Sequence, residues 1–269
     1  MYLLDFTQPL FLIFPCLRQQ TRNFLYIMDL YHKAKEKFIQ DLSCENITLS
    51  DRQLVQFSLY CSLLLEWNQK MNLTAITDVT EIFQKHFTDS LMLSRAADLS
   101  SVHSLIDIGT GAGFPGIPLK IVYPNLDVVL LDSLKKRVDF LEMVIRSLKL
   151  EHVCAFHARA EDAARNPQHR EKYDLVVSRA VARLSVLSEY SLPFSKIGGK
   201  FISYKSADCQ QEVQNADSAI RQLGGRLSAQ KTYCLPNSDI GRSLICIEKV
   251  KTTPNKYPRK AGTPAKNPL

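Results

Sequence analysis

Leu105-Ile106-Asp107-Ile108-Gly109-Thr110-Gly111-Ala112-Gly113-Phe114-Pro115-Gly116 reads as a strand, a glycine-rich turn and the start of a helix. Glycines let the backbone turn tightly and approach a ligand with no Cβ in the way. On both sides of this stretch the hydrophobic period changes. Downstream, short apolar runs alternate with helical patterns. Leu105–Ile108, Val128–Leu131, Val153–His157, Leu175–Ser178 and Phe201–Tyr204 read as strands, and Ile117–Val122, Lys135–Leu148, Ala182–Ser191 and Gln211–Leu223 as helices. Continuous apolar strands separated by helices predict a parallel sheet covered on both faces. Apolar stretches near Thr232–Leu235 and Leu244–Ile247 would close it as a hairpin, giving a seven-stranded, mostly parallel, Rossmann-like α/β domain over residues 101–249.

Upstream, residues 28–100 read as helical. Ser50-Asp51-Arg52-Gln53 is a capping-box pattern, followed by Leu54, Phe57, Cys61, Leu64 and Leu65 at three- and four-residue spacing. A second helix starts at Asp78, with Glu81 three residues on, and runs through Ile82, His86 and Leu91. Trp67, the sole tryptophan, is expected to pack between this region and the sheet. Residues 1–27 are an atypical extension, and Met28 is an alternative start.

The chain has 269 residues, 45% of them hydrophobic and 23% charged, which excludes collagen-like, wholly disordered and disulfide-scaffold classes. Seven scattered cysteines contain no C-x-x-C pair, so neither a zinc knuckle nor a disulfide framework is indicated. They point to a reducing, cytoplasmic compartment, with Cys154 read as a core residue opening the third strand. The longest apolar run, Pro9–Leu17, is too short to span a bilayer. Net charge is +7, and six of those charges belong to residues 249–269, which hold Lys249, Lys251, Lys256, Arg259, Lys260 and Lys266 and no acid. Residues 250–269 are also rich in X-Pro bonds, and they read as a basic tail that orders only on a partner.

Gly111-Ala112-Gly113-Phe114-Pro115-Gly116 matches G-x-G-x-x-G, with Asp132 about twenty residues further on, so a nicotinamide cofactor is one reading. The placement of charge favours S-adenosylmethionine. Asp107, before the first glycine, would meet the ammonium and sulfonium charges, and would be a poor neighbour for a pyrophosphate. Asp132, ending the second strand, is placed to accept both ribose hydroxyls, and Ala160-Glu161 to meet the adenine edge. No cysteine follows the fourth strand as the nucleophile a pyrimidine C5 methylase needs. Asp174-Leu175-Val176-Val177-Ser178-Arg179-Ala180 shows no Asn-Pro-Pro-aromatic loop for an exocyclic amine. A ring nitrogen such as guanine N7 carries its own lone pair and needs orientation rather than a base. A nonenzymatic RNA-binding protein on the same fold is the remaining alternative.

Trp67-Asn68-Gln69-Lys70-Met71-Asn72-Leu73-Thr74, Lys85-His86-Phe87-Thr88-Asp89-Ser90-Leu91, the glycine stretch through Pro118, Leu131-Asp132-Ser133-Leu134-Lys135-Lys136-Arg137, Val177-Ser178-Arg179-Ala180 and Tyr257-Pro258-Arg259-Lys260-Ala261-Gly262-Thr263-Pro264 form a specific set. On these motifs the chain resembles the bacterial small-subunit rRNA guanine-N7 methyltransferases of the RsmG type, also called glucose-inhibited division protein B. The resemblance covers roughly residues 28–269, with Lys85 where the family often has Arg and Ala112 where it often has Pro. It implies a class I S-adenosylmethionine-dependent methyltransferase acting on 16S rRNA; no metal is expected, and a nearly neutral body without an apolar stripe that demands a partner leads to the expectation of a monomer. The cofactor contacts would be Gly109, Phe114, Asp132, Ser133, Leu134, Ala160, Glu161 and Arg179, joined by Asp107, Gly111 and Gly113 from the charge and glycine reading. His86, Asp89 and Arg179 are candidates beside the target base. Lys135, Lys136 and Arg137 open a helix, where cations are electrostatically unfavourable, which hints at an anionic partner. With Lys256, Arg259, Lys260 and Lys266 they are the candidate RNA contacts.

Overall fold

The computed structural model describes residues 21–269, with side chains from Asp29 onward. The expectation for the N-terminal extension thus lies largely outside the described residues. Helix α1 (Thr21–Ser43) is followed by α2 (Asp51–Met71), which opens as its capping box predicts. Ser50 Oγ accepts the Gln53 N–H, and Gln53 Oε1 accepts the Ser50 N–H at 2.8 Å. Asp78 caps the next helix, α3, accepting the Glu81 N–H at 2.9 Å. This helix is not uniform: Val79–Ile82 is α-helical, Phe83–Thr88 is π-helical and Asp89–Leu91 is α-helical again. The wider turn falls where His86 and Asp89 face the sheet, and such bulges concentrate at functional sites.

The remaining elements are β1 (Ser104–Ile108), α4 (Gly116–Val122), β2 (Asp127–Asp132), α5 (Lys135–Ser147), β3 (Val153–His157), α6 (Ala160–Ala163), β4 (Tyr173–Arg179), α7 (Leu184–Ser191), β5 (Ser195–Ser206), α8 (Gln210–Gln222), β6 (Gly225–Cys234), β7 (Gly241–Lys249) and α9 (Thr263–Lys266). They form one seven-stranded sheet in the order β3-β2-β1-β4-β5-β7-β6. The first five strands run parallel and β7 is antiparallel to both β5 and β6. The order reverses between β2-β1 and β4, which opens a crevice above the carboxyl ends of these strands.

Successive residues of each strand serve opposite cores. Leu105, Val177 and Ile202 face the N-terminal helices and pack with Phe38, Phe57 and Phe87. Ile106, Val176 and Phe201 face α7 and α8, against Leu187 and Ile220. Trp67 packs on Phe140 of α5, with ring centroids 5.8 Å apart, against the core shared by the N-terminal helices and the sheet. Cys154 is exposed, because β3 is the edge strand, so the reading of it as core is corrected. Among the described residues no helix is long and apolar enough to cross a membrane.

The expectation that residues 250–269 order only on a partner is also corrected. Val250 and Lys251 donate backbone N–H groups to Gly224 O, and Thr253, Tyr257 and Pro264 are buried. Lys249 is fully buried, donating to Leu192 O and Thr253 Oγ1, each at 2.6 Å, and lying 3.1 Å from Glu171. X-Pro bonds keep the segment out of the sheet and limit its helix to the short α9, with Pro264 in the first turn, yet the rest finds its hydrogen bonds on the body of the protein.

Candidate cofactor cleft

The glycine turn is held from beneath by Asp107 at the end of β1. This carboxylate is fully buried, and its Oδ2 accepts the Thr110 hydroxyl at 2.6 Å and the Gly116 N–H at 2.9 Å. Its Oδ1 has no hydrogen-bond partner. Burial pushes the group up to about 7, against the pull of those two hydrogen bonds and of Arg179. Gly116 must be glycine here, because a Cβ would lie 2.3 Å from Leu130 and 3.0 Å from Asp107 Oδ2. Gly111 is the opposite case. Its φ of +62° favours glycine, and a Cβ there would meet nothing within 4 Å, so the turn faces open space. Tyr60 of α2 reaches across to donate its hydroxyl to Ala112 O at 2.5 Å, tying the N-terminal helices to the turn.

Asp132 ends β2 and is 3% exposed. Its Oδ2 accepts the Gly111 N–H and its Oδ1 the Leu134 N–H, both at 2.9 Å. Oδ1 keeps a further lone pair for a ligand hydroxyl, whereas Oδ2 also takes the Arg137 Nη1–H at 3.4 Å. Next to it opens a cavity of about 310 Å³, whose walls include Gly109, Asp132, Ser133, Ala160, Glu161 and Gly262. The structure thus brings together five of the residues named from sequence. Leu134 is exposed beside the rim, and Asp107 lies beneath the floor. Two other wall residues, Tyr190 and Gly262, were not named as cofactor contacts from sequence, Gly262 standing there only within the C-terminal motif.

Phe114, Arg179, His86 and Asp89 form a second, adjoining cluster. His86 stacks on Phe114 at 4.5 Å between ring centroids and 18° between planes, and the Arg179 guanidinium lies 5.0 Å from the same ring. Arg179 donates to Lys85 O at 3.2 Å, to Asp89 Oδ2 at 3.1 Å and to His86 Nδ1 at 3.2 Å. A guanidinium only donates, so His86 Nδ1 accepts and its Nε2–H donates to Thr74 Oγ1 at 2.8 Å. Burial first, and then the Arg179 charge, bring His86 down to about 3. It is a neutral imidazole with both nitrogens engaged. Asp89 is itself buried, and its Oδ1 lies 3.3 Å from Arg242 Nε in an ion pair without hydrogen-bond geometry. Arg242, on β7, was not singled out from sequence, since nothing local distinguishes it from a solvated strand arginine.

The candidate RNA contacts divide. Lys135 pairs with Asp139 one turn on, and Arg137 turns back to within 3.4 Å of Asp132 Oδ2. Arg259 forks onto Glu189, donating from Nη2 to Oε2 at 2.7 Å, and this pairing explains why it does not extend into solvent. Lys136, Lys256, Lys260 and Lys266 are exposed. Among the described residues no group of three or more His, Cys, Asp or Glu side chains is placed to hold a metal.

A seven-stranded sheet of this order, a glycine turn after β1 and an acid closing β2 define a class I S-adenosylmethionine-dependent methyltransferase. The residues present suit that cofactor. Gly111 opens a cradle that a side chain would fill, and Asp107 presents a buried carboxylate oxygen without a partner. The chain belongs to the GidB family, rRNA small subunit methyltransferase G, whose family model matches residues 53–237. It is 53% identical over 232 residues to the ribosomal RNA small subunit methyltransferase G of Lachnoclostridium phytofermentans, covering 86% of this chain and 96% of the relative. The same-named protein of Alkaliphilus metalliredigens is 51% identical over 237 residues, 87% of this chain and 99% of its own. Among solved structures, a mutant of MtNAS aligns with a TM-score of 0.51 at 16% identity, covering 87% of this chain and 90% of that one. A chain from the complex of the Haloferax volcanii Trm112 methyltransferase activator aligns with a TM-score of 0.50 at 13% identity, covering 70% and 98%. At such identities these two show the fold alone.

Proposed function

We propose that this protein transfers the methyl group of S-adenosylmethionine to N7 of one guanosine in 16S rRNA, as a cytoplasmic monomer. The observation that carries the reading is the pairing of the Asp107–Gly111–Asp132 cradle with a neighbouring cluster whose histidine is neutral and fully engaged. A reaction that had to remove a proton would need a base at that place. Guanine N7 attacks with its own lone pair, so positioning is enough.

S-adenosylmethionine supplies, when bound, a methyl group on a cationic sulfur. Asp132, its Oδ2 fixed by the Gly111 N–H, would hold the ribose, Asp107 would balance the cationic end beside the open Gly111 turn, and Ala160 and Glu161 would meet the adenine. Gly109 and Ser133 form part of the walls, Leu134 is exposed beside them, and Gly113 turns toward Ile117 and the Tyr60 hydroxyl. Phe114, His86 and Arg179 act as a stacked, pre-organised unit, with Asp89 fixing Arg179 from behind. Arg179 is the donor suited to guanine O6, which orients N7 for in-line attack. His86 is a positioning residue, acting through Arg179. Lys136, Lys256, Lys260 and Lys266 meet rRNA phosphates. Arg137 and Arg259 serve the protein itself.

Transfer of a labelled methyl from S-adenosylmethionine to small-subunit RNA or particles lacking the modification tests this reading, with the position mapped by cleavage at N7-methylguanosine. A single cleavage in 16S rRNA supports it; label on another atom or on protein contradicts it. Of the six C-terminal cations, Lys249 and Arg259 are used internally. The remaining four give a salt-slope contribution of at most about −3 for single-stranded RNA. Replacing Lys251, Lys256, Lys260 and Lys266 by Ala is expected to flatten the slope by that order, and an unchanged slope removes them from the interface.

A further inference from the structure

The C-terminal segment does more than cover the body of the protein. Gly262 is a wall of the same cavity as Asp132, Ala160 and Glu161, and its N–H donates to Glu161 Oε1 at 2.9 Å. Glu161 is 6% exposed, and among the described residues no protein group donates to its Oε2. Three residues earlier, Arg259 clamps Glu189 of α7. The Arg259 N–H reaches Glu189 Oε1 at 2.6 Å, Nε lies 3.0 and 3.1 Å from the two oxygens, and Nη2 is 2.7 Å from Oε2. Glu189 is completely buried, so without Arg259 it would be an uncompensated charge. The next residue along α7, Tyr190, lines the cavity as well. The segment is tied from below by Arg170, donating to Thr253 O at 2.7 Å and Tyr257 O at 3.0 Å, and by Arg165, donating to Pro258 O at 2.5 Å.

We infer that residues 257–264 are a strap forming one wall of the S-adenosylmethionine pocket, with Arg259–Glu189 as its clamp and Gly262 as the group that fixes Glu161 for the adenine amino group. The inference rests on the placement of the cofactor in the cleft proposed above. Docking the strap takes one Glu161 oxygen and leaves the other as acceptor for an exocyclic amine. Releasing it frees the carboxylate to rotate and opens that end of the cavity to water. The strap therefore sets both the affinity for the cofactor and its discrimination for adenine. Arg259 and Gly262 are positioning residues here, since they act through Glu161.

Titration calorimetry of the full-length chain with S-adenosylhomocysteine, and with its analogue bearing hydrogen in place of the adenine amino group, tests this. Arg259→Ala is expected to weaken S-adenosylhomocysteine about tenfold, equivalent to about 1.4 kcal/mol, and to shrink the preference over the analogue. Arg259→Lys, which keeps the charge without the fork, is expected to recover only part of that loss. The triple variant of Lys256, Lys260 and Lys266 to Ala is expected to bind both ligands as the unmodified protein does. Should Arg259→Ala fail to fold, Gly262→Ala replaces it. With φ at +82° and nothing within 4 Å of the added Cβ, this substitution strains only the strap backbone, and a loss of a few-fold with a smaller preference is expected. Unchanged affinity and preference in Arg259→Ala or Gly262→Ala, with Asp132→Ala weakened, overturns the strap. Unchanged affinity in Asp132→Ala as well overturns the placement of the pocket itself.

Discussion

At the glycine-turn end of the cleft, the hydrogen bonds of the two acids, Asp107 and Asp132, join residues close in sequence. Thr110 and Gly116 reach Asp107 across three and nine positions, and Gly111 reaches Asp132 across 21. At the other end, Gly262 reaches Glu161 across 101 positions and Arg259 reaches Glu189 across 70. The first end follows from a single βαβ unit whose turn chemistry is written in consecutive residues. The second exists only once the whole sheet has closed and the chain has returned over α7. One end of the site is thus local and pre-organised, and the other is assembled last from distant parts.

The largest effect is expected at the local end. Gly111→Asp places a side chain and a charge in the open space of the turn, and Asp132→Ala removes the acceptor that also holds the Gly111 N–H. Each is expected to weaken S-adenosylmethionine about 100-fold, that is by about 2.7 kcal/mol. Affinity within threefold of the unmodified protein would show that the turn does not hold the cofactor. Next in size is Arg179→Ala, which strips the stacked cluster of its donor and leaves Asp89 with Arg242 alone. Methyl transfer is expected to fall on the order of 100-fold, with stability lowered by about 3 kcal/mol. Arg179→Lys is not expected to restore transfer, because it lacks the planar fork and the stack on Phe114. Full transfer in either variant would detach this cluster from the reaction.

A smaller effect separates the two carboxylates of the local end. Asp107 is held up to about 7, so near neutral pH the empty cleft carries a proton there that the unfolded chain does not. Between the ordinary carboxylate range and about 7, the stability of the ligand-free protein is therefore expected to fall as pH rises. A cationic ligand end selects the ionised form, so binding is expected to release a proton and to tighten about tenfold from pH 6 to pH 8. Asp107→Asn is expected to abolish the trend, and calorimetry in buffers of different ionisation enthalpy reads the proton directly. His86, at about 3, is already neutral over this window and adds no limb to the profile. Least of all is expected from Tyr60→Phe, which removes one hydroxyl from Ala112 O and costs about 1 kcal/mol of stability, measured by denaturant unfolding.

How much of this was legible in the sequence follows the same division. The seven strands and their helices are announced by apolar runs and capping residues such as Ser50 and Asp78, because both signals act over a few residues. Asp107, Gly109, Asp132 and Glu161 were named for the same reason: strand ends and turns are local features. What escaped is long-range. Arg242 reaches Asp89 from β7, and Gly262 reaches Glu161 from beyond the last strand. Arg259 and Lys249 looked like a basic tail because a cation and its distant buried acid share no local pattern. The π-helical turn at Phe83–Thr88 was read as ordinary helix, since its apolar spacing fits a regular helix almost as well.

Each end of the cleft is built for one end of the cofactor. A crystal structure of the S-adenosylhomocysteine complex decides this directly. The expected result is the ribose on Asp132, the amino acid end above Asp107 and Gly111, and the adenine between Ala160, Glu161 and Gly262. Adenine lying away from Gly262, or the amino acid end beside Glu161, would contradict it.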